Sequence, residues 1–163
     1  MSKLIILGID PGVHGALAWY DTEARRLVSV IDMPTVSAKR GKSALDVDGL
    51  RLSSIIRSAV SAKIDRAIVE QVQSRPRQGG QFSFGVNYGR VLGVLEALGI
   101  PIVHASAQKW KQSMGLRGQD KSMSVRLAAE LFKPQLYMFY GPRGAELDGR
   151  AEAALLAYYG AKL

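Results

Sequence analysis

The feature that most constrains the fold is the apolar run from Leu4 to Ile9, which ends at once in Asp10-Pro11-Gly12. A short apolar run closed by a turn sequence predicts a strand that is buried on both faces. Such strands occur where helices cover both sides of a sheet, as in α/β proteins. The run therefore predicts a helix-flanked sheet, with Asp10 at the carboxyl end of a central strand.

The remaining pattern predicts a single α/β domain over residues 1–163, with a five-stranded mixed sheet flanked by helices. Strand segments 14–20 and 27–33 follow the first strand and complete an antiparallel meander. Later segments alternate between helices and parallel strands, and two basic segments, 34–46 and 73–81, are predicted to be exposed loops. Strands are predicted at 67–72 and 100–104, and helices at 48–60, 82–98, around Trp110, and at 121–132 and 146–159.

Charge and composition limit the classes of function that the chain can have. The chain has 22 Lys and Arg against 14 Asp and Glu, a net charge of +8, which favours a polyanionic partner such as nucleic acid. No apolar run approaches the roughly 18 residues of a membrane span, so no membrane partner is expected. The absence of cysteine excludes thiol chemistry and suits a reducing cytoplasm. With only two histidines, any metal must be held mainly by carboxylates, which favours Mg²⁺ or Mn²⁺.

Four acidic residues stand in apolar settings. Asp10 and Glu70 each follow a buried strand sequence, and Asp148 and Glu152 share one helical face at i, i+4 spacing. Each alone has an ordinary explanation: a turn, a strand-edge ion pair, a helix N-cap or a solvated helix residue. Together they predict a carboxylate cluster that needs cations, and two Mg²⁺ ions about 3.5–4 Å apart would also clamp a scissile phosphate. Hydrolysis would leave a 5′-phosphate and a 3′-hydroxyl.

The acidic segments resemble a known family. The sequences GIDPG (8–12), IVEQV (68–72) and DGRAEAALLAYYG (148–160) occur in the order of the three acidic motifs of RuvC-type Holliday junction resolvases, which belong to the RNase H-like superfamily. Between them, YGRVLGVLEALGIPI (88–102) and KWKQSMGLRGQDK (109–121) resemble further family segments. The resemblance covers nearly the whole chain, and its AEA ending is most similar to the phage-borne branch.

The resemblance implies an RNase H-like homodimeric endodeoxyribonuclease that resolves four-way (Holliday) and other branched DNA junctions in the cytoplasm of a bacterial or phage-infected cell. It implies two Mg²⁺ ions per site, replaceable by Mn²⁺, held by Asp10, Glu70, Asp148 and Glu152, with Asp10 bridging both. It also implies a catalytic role for Lys121 near the scissile phosphate.

Two departures limit what can be transferred from the family. The usual motif ends in Asp-x-x-Asp, whereas Asp148 and Glu152 are one residue further apart, so it is open which is the stronger ligand. Many relatives carry an aromatic wedge three positions after the second-motif glutamate, where this chain has Gln73. Opening of the junction centre must then occur differently, or the substrate range differs.

Basic and aromatic residues near the predicted strand ends are candidates for DNA contacts. The basic set would bind phosphates of the duplex arms, while Phe82, with Phe84 and Tyr88, would stack on unpaired bases or pack in a core or dimer interface. Gly85, Gly89 and Gly93 would let another helix approach closely, either within the chain or across a dimer. The basic candidates are Lys39, Arg40, Lys42, Arg75, Arg77, Arg117 and Lys121.

Three alternatives differ from a junction resolvase. One is an RNase H-like nuclease with broader branched-DNA or RNA–DNA substrates, which Gln73 favours. Another is a non-catalytic nucleic-acid-binding relative. The complete set of four acids argues against it, because an inactive protein has no reason to retain four clustered carboxylates. A third is an actin-like nucleotide-binding fold, which shares the meander but needs far more chain than 163 residues.

Overall fold

The computed structural model describes residues 3–38, 43–71 and 79–163, and within them the chain forms a mixed sheet of five strands. The strands of the described residues are β1 (Ile5–Asp10), β2 (Ala16–Asp21), β3 (Arg26–Asp32), β4 (Thr35–Ser37), β5 (Leu45–Val47), β6 (Arg66–Gln71) and β7 (Ile102–Ser106). The large sheet has the order β3-β2-β1-β6-β7. Its β1–β3 meander is antiparallel, while β6 runs parallel to both β1 and β7. The predicted five-stranded mixed sheet is confirmed.

Helices cover the sheet, and two of them, α1 and α4, begin at an aspartate whose side chain caps the helix. They are α1 (Gly49–Ser58), α2 (Gln81–Ala97), α3 (Ala107–Ser113), α4 (Lys121–Leu131) and α5 (Asp148–Gly160), with 3-10 helices at Lys133–Phe139 and Pro142–Gly144. The Asp48 side chain accepts from the Arg51 N–H (3.0 Å), and Asp120 caps α4 in the same way at Met123. Gly99, at φ +66°, follows the end of α2 in the left-handed conformation that glycine adopts readily. None of the helices in the described residues is both long enough and apolar enough to cross a bilayer.

The central strand β1 alternates between the two faces of the sheet. Ile5, Leu7 and Ile9 point into a core beneath α1 and α2. Ile6 points into the opposite core, formed with α4 and α5, and the two-residue period places Gly8 and Asp10 on that same face. The strand is therefore buried on both sides, and Asp10 lies at its end under α5.

Helix α5 lies almost directly on the sheet because three glycines remove the side chains between them. A Cβ on Gly8 would overlap the Ala153 carbonyl oxygen, and one on Gly160 would overlap the Ile68 side chain. A Cβ on Gly149 would lie 2.5 Å from the carbonyl oxygen of His14. This close packing fixes the start of α5 above the carboxyl end of β1.

The prediction of an exposed loop over 34–46 is wrong in part. Strands β4 and β5 pair as a small antiparallel sheet, and Asp46 is buried. Asn87 of α2 reaches this hairpin: its Oδ1 accepts from the Val47 N–H (2.8 Å) and its Nδ2 donates to Asp46 Oδ1 (3.3 Å). Strands of three residues show too little alternation to be recognised, and the partner that satisfies their polar groups lies 40 residues away from Val47.

Candidate active site

Asp10 and Glu70 lie at the carboxyl ends of two adjacent parallel strands. Asp10 ends β1, and Glu70 lies on β6 two residues after Ile68, so both side chains emerge on the face covered by α5. The Asp10 carboxylate accepts from the Gly12 N–H (3.3 Å). Gly15 packs so closely on Asp10 that a Cβ there would come within 2.9 Å of the Asp10 carboxyl carbon. The turn after β1 therefore leaves Asp10 little freedom.

Helix α5 supplies the other two acids. Asp148 is the first residue of the helix and Glu152 follows one turn later, so the two project on the same side. Glu152 is the more enclosed, with its side chain 12% exposed against 39% for Asp148. The intervening Ala151 is fully buried, which anchors this turn of the helix.

The Asp10 carboxylate is close enough to each of the other three acids for their charges to interact. Burial raises the pKa of Asp10 to about 6, and the negative charges of Glu152 and Asp148 add to this rise. Burial likewise raises the pKa of Glu70 to about 7, with further contributions from Glu152 and Asp10. The structure thus brings together the four acids that the sequence singled out from three distant segments.

Two lysines neutralise the acids of α5. Lys121 Nζ lies 2.8 Å from Asp148 Oδ2, which lowers the pKa of Asp148 and raises that of Lys121. Lys111 Nζ lies 2.9 Å from Glu152 Oε1, and the Ser124 hydroxyl is 3.5 Å from the same oxygen. Sequence reasoning missed Lys111. The signal that could have found it is its place in the chain. Lys111 lies on α3, which begins at the carboxyl end of β7, and Glu70 lies near the same end of the neighbouring strand β6.

A buried indole completes the surroundings of Glu70. Trp110 is fully buried on α3, and its ring N–H lowers the pKa of the Glu70 carboxyl. Among the described residues, however, no acceptor meets regular hydrogen-bond geometry with this N–H. The proximity of this N–H favours the ionised form of Glu70 and partly offsets the cost of burying it.

The donor set matches a hard divalent cation in type. Carboxylate oxygens are the ligands that Mg²⁺ and Mn²⁺ prefer, and a bound cation would offset the burial and the mutual repulsion that raise the pKa values of Asp10 and Glu70. In the described ranges, no group of three or more His, Asp or Glu side chains is arranged to hold an ion as it stands. The Asp148 and Glu152 oxygens face Lys121 and Lys111 instead.

Comparison with solved structures identifies the fold. The structure of RuvC from Thermus thermophilus matches with a TM-score of 0.62 and 17% sequence identity, over 98% of this chain and 96% of that chain. The structure of T. thermophilus RuvC in complex with Holliday junction substrate matches with a TM-score of 0.59 and 16% identity, over 98% and 95% of the two chains. This chain has a RuvC-like fold. The predicted RNase H-like fold class is therefore confirmed. No protein-family model and no curated protein matches the sequence.

Within the RuvC-like fold, two of the predicted DNA-binding side chains other than Lys121 can be placed. Arg117 is exposed in the loop between α3 and α4, four residues before Lys121. Phe82 is 84% exposed in the first turn of α2. Lys39, Arg40, Lys42, Arg75 and Arg77 lie outside the described residues, as does Gln73.

The other aromatic candidates have different surroundings. Phe84 is 38% exposed. Tyr88 packs against the core beneath α1 and α2, and its hydroxyl oxygen lies 3.1 Å from His104 Nδ1. Tyr88 is therefore held within the fold, as the packing alternative predicted, whereas Phe82 is free of the core.

The three regularly spaced glycines of α2 form an open surface. A Cβ built on Gly85, Gly89 or Gly93 would meet no atom of the described chain within 4 Å. Packing within the described chain therefore does not account for these glycines. Together with Phe82, one turn before Gly85, they form a face that we call the α2 glycine face.

Proposed function

We propose that this protein is a divalent-metal-dependent endonuclease that cuts branched DNA, with the four-way junction as its preferred substrate. The observation that carries the proposal is the convergence of Asp10, Glu70, Asp148 and Glu152 at the carboxyl ends of β1 and β6. The fold supports it, since one matching structure is of a RuvC bound to Holliday junction substrate. The net charge of +8 is suited to a polyanionic substrate.

Each residue of the site has a distinct task in this proposal. Asp10 interacts with the charges of Glu152 and Asp148 and also raises the pKa of Glu70, so it would share in holding divalent ions with each of the other three acids. Divalent ions, when bound, supply an activated water and stabilise the leaving oxygen. Lys121 is the exposed cation that can move from Asp148 to the scissile phosphate and stabilise its developing charge.

We further propose that the protein is a homodimer that uses the α2 glycine face. Residues without side chains let two helices approach closely, and an isologous interface repeats the same patch on both subunits. A two-fold dimer would present two active sites to one four-way junction. The open space beyond Gly85, Gly89 and Gly93 supports this assembly.

The proposed function is tested with a substrate panel. Synthetic four-way junctions, three-way junctions, linear duplexes and RNA–DNA hybrids are incubated with the protein in MgCl₂ or EDTA. We expect paired symmetric nicks in the four-way junction that require Mg²⁺ and leave 5′-phosphate ends. Equal cutting of the linear or hybrid substrates would support the broader nuclease instead, and binding without any cutting would support a non-catalytic DNA-binding protein.

Substitution of the acids separates catalysis from binding. Asp10→Asn and Glu70→Gln should each reduce cleavage by at least about 100-fold, since loss of even the outer partners of metal ligands typically costs 10–100-fold. Asp10→Asn should bind the junction as tightly as the wild type or more tightly, because it removes a negative charge. Glu130→Gln is the matched control, since Glu130 is exposed on α4. Cleavage by Asp10→Asn at the wild-type rate would refute the assignment.

A further inference from the structure

Lys111 lies in the carboxylate cluster as a cation held in place by its neighbours. Its Nζ is 2.9 Å from Glu152 Oε1, and its side chain is only 30% exposed. The same ammonium lies 5.2 Å from the centroid of the Trp110 ring, whose side chain is fully buried. A cation over the face of an indole gains electrostatic stabilisation, particularly where water is partly excluded. Lys111 is therefore fixed by two neighbours, an acid and an aromatic ring.

The second lysine of the site is held much less firmly. Lys121 forms an ion pair of similar length with Asp148, at 2.8 Å, but its side chain is 82% exposed. Exposed ion pairs contribute little net free energy, so Lys121 can leave Asp148 at little cost. Glu152, at 12% exposure, depends more on its partner than Asp148 does, because an enclosed carboxylate without a cation is costly.

A cation in contact with Glu152 opposes the binding of a second cation there. Lys111 occupies an oxygen that a metal ion would need, and its charge also reaches Glu70, whose pKa it lowers. A divalent ion must therefore displace Lys111 or bind against its repulsion, and both lower the affinity of the site.

We propose that Lys111 is a built-in counter-ion that stabilises Glu152 in the metal-free protein and weakens the binding of divalent ions to the carboxylate cluster. Metal binding then requires either that Lys111 leaves Glu152 or that the ion binds against the charge of Lys111. The inference rests on the proposed function only in taking the cluster to be a metal site. Lys111 acts here through Glu152 and is a positioning residue.

The test compares Lys111→Met with Lys109→Met, which removes the same charge from an exposed position on the same helix. Mn²⁺ affinity is measured by calorimetry, and thermal unfolding is followed in EDTA and in MnCl₂ at fixed ionic strength. In EDTA, Lys111→Met should unfold at a lower temperature than the wild type, because Glu152 loses its cation. It should bind Mn²⁺ about tenfold more tightly, within the 5–150-fold range usual for coupled sites, and show a larger Mn²⁺-induced rise in unfolding temperature. Lys109→Met should leave both values unchanged.

The outcomes separate the two proposals. If Mn²⁺ binds Lys111→Met no more tightly than Lys109→Met, the counter-ion role is refuted, even where the wild type binds Mn²⁺ and cuts junctions. If Mn²⁺ binds neither the wild type nor the variants, the cluster is not a metal site and the proposed function fails as well. Should Lys111→Met not fold, Lys111→Gln, which keeps a hydrogen-bond donor without the charge, must show the same tightening.

Discussion

The surroundings of Asp10 favour the neutral form of its carboxyl group over the ionised form. The residue is half-buried under α5, and Glu152 and Asp148 add negative charge beside it, so its pKa rises to about 6. A carboxylate whose protonated form is favoured in the folded state destabilises that state whenever it is ionised. In the metal-free protein at neutral pH, Asp10 therefore lowers the free energy of unfolding.

Replacing Asp10 with asparagine should stabilise the metal-free protein. A shift from 3.8 to about 6 corresponds to about 3 kcal/mol, so a gain of roughly 1–3 kcal/mol is expected at pH 8. Because the folded pKa is raised, this contribution is absent below about pH 4, grows between about pH 4 and pH 6, and is complete above about pH 6. Urea unfolding in EDTA at pH 5 and pH 8 measures the difference. Glu130→Gln should unfold as the wild type does, and an Asp10→Asn variant less stable than the wild type at pH 8 would contradict the prediction.

At the scale of elements, the contact between α5 and β1 positions half of the site. Gly8 faces the helix backbone, where a Cβ would overlap the Ala153 carbonyl oxygen. Backbone cannot yield as a flexible side chain does, so the helix must move away from the sheet. Movement of α5 would carry Asp148 and Glu152 away from Asp10.

Gly8→Ala should therefore destabilise the protein by about 1–3 kcal/mol, the usual cost of overpacking a core. It should also reduce cleavage more than its stability loss explains, because the acids of α5 shift. Gly49→Ala is the matched control, since a Cβ there would make an ordinary contact of 3.7 Å with Val94. Chemical denaturation and cleavage rates well below the unfolding transition give the two measurements. Equal behaviour of the two variants would show that α5 tolerates the displacement.

The α2 glycine face makes a separate prediction at this scale. Gly89 lies inside a helix with open space beyond it, so alanine there should raise monomer stability by about 0.5–1 kcal/mol. If the face is a dimer interface, the added methyl group should at the same time weaken dimerisation. Denaturation at low protein concentration and sedimentation equilibrium measure the two effects. A gain in stability without any change in association would place the dimer contact elsewhere.

Elements with a strong local sequence pattern could be predicted, whereas very short strands and contacts between distant segments could not. The apolar run ending at Asp10 gave β1 directly, and Asp48 marked the start of α1 because its side chain caps that helix locally. The β4–β5 pair depends on Asn87 from a distant helix. The ion pair of Lys111 with Glu152 spans 41 residues and depends on how α3 leaves β7, which no local pattern encodes.

At the scale of the whole molecule, the charge distribution must attract a polyanion and also hold a cluster of four acids. The chain carries a net charge of +8, yet it concentrates four acids at one edge of the sheet. A DNA phosphate approaching this edge is repelled unless cations offset the acids. Exposed basic residues around the edge, such as Arg117 in the loop after α3, are therefore expected to contribute more to DNA binding than equally exposed ones on the opposite face.

Salt dependence tests this asymmetry directly. Each lost phosphate contact should reduce the slope of log affinity against log salt concentration by about 0.9 for duplex DNA. We expect Arg117→Gln to lower the slope for four-way junction binding by about one. Arg57→Gln should not change it, because Arg57 lies on α1, which covers the other face of the sheet. Binding is measured in EDTA at several KCl concentrations, so that cleavage does not interfere. Equal slopes for the two variants would mean that the junction does not approach the acidic edge by way of the loop that carries Arg117.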